Sequence, residues 1–129
     1  MSLNDLVVSG REINTELVAE ILGPFVRLDA DSSDILPTTA WAGLPPEAKI
    51  LLYLLARKAM VALQMSIPGE GATPQEIEKS TGVVGGTLRP KLKKMLGARL
   101  LARGDDSRYL VPNHAMEAVK IHISERVNQ

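Results

Sequence analysis

The chain has 129 residues, of which 45% are apolar but only 3% aromatic, with one Trp and one Phe, so its core is expected to be aliphatic and mainly helical. That length suits one structural domain. The absence of cysteine excludes disulfides, thiolate zinc sites and cysteine nucleophiles, and fits a reducing, cytoplasmic setting. The net charge is zero, yet residues 1–48 hold two basic and eight acidic groups while residues 73–108 hold eight and four. Six cations and no acid fall within residues 83–103, which predicts a local basic surface on a neutral protein.

Residues 14–22 read as a short helix with Asn14 as its cap and Leu17, Val18, Ile21 and Leu22 on one face, ended by Gly23-Pro24. Phe25-Val26-Arg27-Leu28 reads as a short strand, followed by an acidic turn at residues 29–33. Residues 36–46, with three prolines, read as a connector. Pro45 and Pro46 suit a helix start, and the pattern then runs to about residue 64. This longest helix is apolar almost all round, with Lys49, Tyr53, Arg57 and Gln64 expected as one solvent-facing stripe. Residues 50–63 are interrupted by Tyr53, Arg57 and Lys58, so no membrane span is expected.

Thr73-Pro74-Gln75-Glu76 spells a capping box, in which the Thr73 hydroxyl accepts the Glu76 N–H and the Glu76 carboxylate accepts the Thr73 N–H. The helix it opens is expected to stop at Gly82 in a left-handed conformation. A second helix begins within Gly85-Gly86-Thr87. Leu88, Leu92, Met95 and Leu96 share its inner face, while Lys93 and Lys94 lie opposite and Arg89 and Lys91 flank them. Leu100-Leu101-Ala102-Arg103 and Arg108-Tyr109-Leu110-Val111 bracket the turn formers Gly104-Asp105-Asp106-Ser107 and read as a β-hairpin. Asn113 is expected to cap a last helix with Met116, Val119, Ile123 and Val127 as an apolar stripe.

The run of residues 73–92, with the tail at residues 96–111, resembles the helix-turn-helix and wing of winged-helix transcription regulators. The resemblance covers residues 45–112. It implies a mainly α fold with a small β-hairpin wing; outside it, an acidic N-terminal extension (1–44) is expected to pack on the core and a C-terminal helix (113–129) to follow, all in one structural domain. Two features depart from the pattern: Glu78 stands where such motifs usually carry a small residue, and Arg89-Pro90 is expected to delay or bend the second helix.

A helix fits the major groove, and its outward Lys and Arg neutralise phosphate. The resemblance therefore implies double-stranded DNA as partner and transcription regulation as function. Thr87 and Arg89 are the candidates for base contact; Lys91, Lys93 and Lys94 are candidates on the same helix, with Lys93 and Lys94 on phosphate; Arg103 and Arg108 flank the hairpin tip. Asp105 and Asp106 at that tip are expected to oppose a wing contact. The alternative is a winged-helix module that binds protein. A homodimer through the long or the last helix is expected from their apolar breadth.

No cofactor is expected, and no nucleophile and base pair suggests an enzyme. Asp29, Asp31 and Ser33 begin an EF-hand-like spacing, but Asp34 and Ala40 occupy the places that need Gly and Glu, so an acidic turn is the reading kept. His114 and His122 are eight residues apart, and neither completes a metal pair.

Overall fold

A computed structural model describes residues 1–6, 13–104 and 106–127; Asp105, one of the two acids expected at the hairpin tip, lies outside them. The fold is mainly helical with a small antiparallel two-stranded hairpin near its C-terminal end, and a second small hairpin precedes the longest helix. Among the described residues no helix is long and apolar enough to cross a membrane.

The first helix, α1 (Thr15–Leu22), forms where expected: the Asn14 side chain accepts the Leu17 N–H at 3.0 Å, and Leu17, Val18, Ile21 and Leu22 are buried. Strand β1 (Val26–Leu28) follows and pairs with β2 (Ile35–Pro37), whose Leu36 and Pro37 fall in the expected connector. Pro37 obscured it, since a proline ends rather than continues a ladder. The acidic turn between them closes on Asp29, whose Oδ1 accepts the Asp31 N–H at 2.9 Å and the Ser32 N–H at 3.3 Å.

Helix α2 (Pro46–Ala62) is the axis of the molecule, and Ile50, Leu51, Leu52, Leu54 and Leu55 are fully buried in it. Each such side chain stabilises the fold by about 1.5–3 kcal/mol relative to exposure. Helices α3 (Pro74–Thr81), α4 (Gly85–Gly97) and α5 (Met116–Val127), together with α1, pack on α2 from several sides. Met116, Val119 and Ile123 are buried, and Val127 is exposed. The apolar breadth of α2 and most of the α5 stripe are thus covered within the chain, so the surfaces that suggested a dimer are already occupied.

The expected solvent-facing stripe on α2 is corrected by the structure. Tyr53 and Arg57 are buried; Lys49 is half-buried and Gln64 exposed. Arg57 donates to the carbonyls of Gly69 (2.7 Å), Glu70 (3.2 Å) and Gly71 (3.2 Å), and Lys58 Nζ reaches Glu70 Oε1 at 2.8 Å and Asn113 Oδ1 at 2.6 Å. These cations clamp the segment after α2 onto the helix, which a one-dimensional pattern reads only as polar positions. Asn113 begins a 3-10 turn (Asn113–Ala115) leading into α5, with Pro112 in the cap position instead.

Strand β3 (Ala102–Arg103) pairs antiparallel with β4 (Tyr109–Leu110), a shorter ladder than the sequence suggested. Leu100 and Leu101 are buried ahead of it, after a turn with Arg99 at φ 63°. Ala72 adds a bridge to Tyr109, with N–H to carbonyl distances of 2.9 and 2.8 Å. The hairpin is thereby tied to the residue just before α3.

Candidate nucleic-acid interface

The capping box on α3 is complete: Thr73 Oγ1 accepts the Glu76 N–H at 3.2 Å and Glu76 Oε1 accepts the Thr73 N–H at 3.1 Å. The helix ends at Gly82, whose φ of 78° is the left-handed conformation that glycine adopts without strain. Three residues later α4 begins. Its Leu88, Leu92 and Met95 are buried against the core, which forces the polar residues between them outward. Leu96, also expected on the inner face, is half-buried.

Pro90 lies inside α4, and the helix nevertheless runs from Gly85 to Gly97 without a late start. The other departure also has a structural reason. A Cβ on Gly85 would stand 3.5 Å from Glu78 Oε2, so the larger acid on α3 faces a residue with no side chain. Its carboxylate sits beside the positive end of α4, a favourable place for negative charge.

The seven candidate residues divide into two groups. Thr87, Arg89 and Lys93 are exposed on α4, and among the described residues none of them forms an ion pair. The other four are engaged within the chain. Lys91 and Lys94 approach Glu47 at 3.4 and 3.7 Å, although Lys94 remains 59% exposed. Arg103 stands over the Tyr109 ring at 5.5 Å. Arg108 meets Glu76 at 2.6 Å and Asp106 at 3.3 Å, so this hairpin arginine is neutralised by acids on both sides.

Glu47 is the residue that the sequence reading passed over. It lies in the first turn of α2, nearly inaccessible to solvent, where its carboxylate receives Lys91 and Lys94 from α4 and His122 (3.1 Å) and Arg126 (3.3 Å) from α5. Burial pushes its pKa up, but the hydrogen bonds from Arg126 and His122 and the nearby positive charge outweigh it and lower the value to about 2. His122 is held below its ordinary value by burial and by the charges of Arg126 and Lys94, against the pull of Glu47. An acid at the start of an apolar helix is the one sequence signal for this hub; its partners on α5 are 75 and 79 residues away.

Val84 is a second omission. It precedes α4 with no side chain able to cap the helix, and it is 62% exposed beside Thr87 and Gly86.

Compared with protein-family models, with curated proteins and with solved structures, the chain matches none.

Proposed function

We propose that this chain binds double-stranded DNA as a winged helix-turn-helix protein, with α4 in the major groove, and that it regulates transcription. One observation carries the reading: Thr87, Arg89 and Lys93 project from a helix whose opposite face is buried, with no acid neutralising them among the described residues. The order capped helix, left-handed glycine, helix and hairpin supports it, as does the Ala72 bridge that adds a third strand position beside the hairpin. In this reading Thr87 and Arg89 reach base edges, since an arginine fork suits the two acceptors of guanine, and Lys93 meets phosphate. Lys94 is exposed enough to join it, while Arg108 contributes little because two acids already hold it. A dimer would require a surface other than the interior faces of α2 and α5.

The test is fluorescence anisotropy of a labelled mixed-sequence duplex titrated with protein at several salt concentrations. Affinity should fall linearly in log–log form, by roughly 0.9 per phosphate contacted. Arg89→Ala or Lys93→Ala should each remove about one contact from that slope, and Arg108→Ala should leave it nearly unchanged. Absence of binding at low salt overturns the reading in favour of a protein partner for the same face.

A further inference from the structure

A cleft of about 440 Å³ opens between β2, the 3-10 turn Thr39–Gly43, α2 and the segment that follows α2. Its walls combine the Trp41 and Tyr53 rings with Met60 and Ile67, and Arg57 lies among them. This size and this mixture of aromatic and aliphatic wall with a charged group are typical of sites for small molecules.

The charge of Arg57 is the informative feature. The side chain is 8% exposed, it stands over the Tyr53 ring at 5.9 Å, and among the described residues no carboxylate forms an ion pair with it. Its partners are three backbone carbonyls and the Tyr53 hydroxyl, which lies 3.4 Å from Nη1. Nη1 carries two N–H groups and, among the described residues, has that one partner. A guanidinium taken out of water, hydrogen-bonded only by neutral groups and feeling the Glu76 carboxylate from beyond ion-pair distance, keeps an attraction for an anion. Among the described residues Asp34 is the one acid on the cleft wall, and it is exposed.

We propose that this cleft binds a small aromatic carboxylate, with its ring against Trp41, Met60 and Ile67 and its carboxylate toward Arg57. The proposal is independent of DNA binding. It also places the ligand on the residue that anchors Gly69, Glu70 and Gly71, next to the Ala72–Tyr109 bridge.

The experiment uses the full chain and the fluorescence of Trp41, its sole tryptophan. The probes are 3-phenylpropanoate and its neutral amide, 3-phenylpropanamide. The acid should give a saturable change with a Kd on the order of 1 mM or tighter, and the amide should bind at least about tenfold more weakly. Arg57→Met should erase the difference between the two. Because Arg57 also holds a loop, Asp34→Asn on the exposed wall supplies a variant that spares the core: it should tighten the acid by about threefold and leave the amide unchanged. No saturable change up to about 10 mM, equal binding of acid and amide, or an Asp34→Asn variant that does not favour the acid would each overturn the proposal.

Discussion

Arg108 Nη1 lies 2.6 Å from Glu76 Oε1, the same oxygen that accepts both the N–H and the hydroxyl of Thr73. The cap of α3 and the β3–β4 hairpin therefore share one acceptor, and the Ala72–Tyr109 bridge lies beside it. Thr73→Ala should destabilise the protein by about 1 kcal/mol, the usual cost of losing a helix cap. Arg108→Ala should cost at most about 0.5 kcal/mol, because its pair with Glu76 is over a third exposed on both sides and is screened by water. Urea denaturation followed by circular dichroism distinguishes them; equal costs would mean that the hairpin contact matters as much as the cap.

Glu47 predicts the acid side of the stability curve. Its folded pKa of about 2 lies below the ordinary value of 4.5, so its contribution is complete above about pH 4.5 and is lost as pH falls toward 2. His122 acts in the same direction from a higher starting point. Its depressed folded pKa favours the neutral ring, so its contribution is present above about 6.5 and declines as pH falls below that value. Glu47→Gln should lower stability at neutral pH by about 3 kcal/mol and flatten the steep fall below pH 4.5. Denaturation midpoints measured from pH 2 to 8 would show both limbs, and an unchanged acid limb in Glu47→Gln would refute the assignment.

The Glu78 carboxylate beside the start of α4 competes with any phosphate at that helix end. If α4 docks on DNA, Glu78→Gln should tighten binding to the mixed-sequence duplex by about three- to tenfold at low salt, with the advantage shrinking as salt rises. Weaker binding by this variant would place the duplex elsewhere.

Pro90 has no N–H for the carbonyl four residues back and lies beyond the first turn of α4. Pro90→Ala should therefore raise stability by about 2 kcal/mol, within the roughly 3 kcal/mol that separates the two residues in a helix interior. Thermal unfolding of the two proteins gives the comparison directly. A loss of stability would show that the ring packs in a way that outweighs the missing hydrogen bond.

Local signals were legible because they depend on neighbours within one turn. Asn14, Thr73-Pro74-Gln75-Glu76 and Gly82 set the ends of α1 and α3, and the spacing of Leu88, Leu92 and Met95 decided which side of α4 faces outward. The exposure of Thr87, Arg89 and Lys93 follows from that spacing alone. What the sequence could not supply was the distribution of charge among distant elements. Six cations in residues 83–103 predicted a basic surface, but only the tertiary structure turns Lys91 and Lys94 toward Glu47. It also sets Arg108 on Glu76, and it buries Tyr53 and Arg57 where a stripe on a helix suggested water. Periodicity fixes the direction of a side chain from its own helix axis, whereas the partner it meets depends on packing between segments dozens of residues apart.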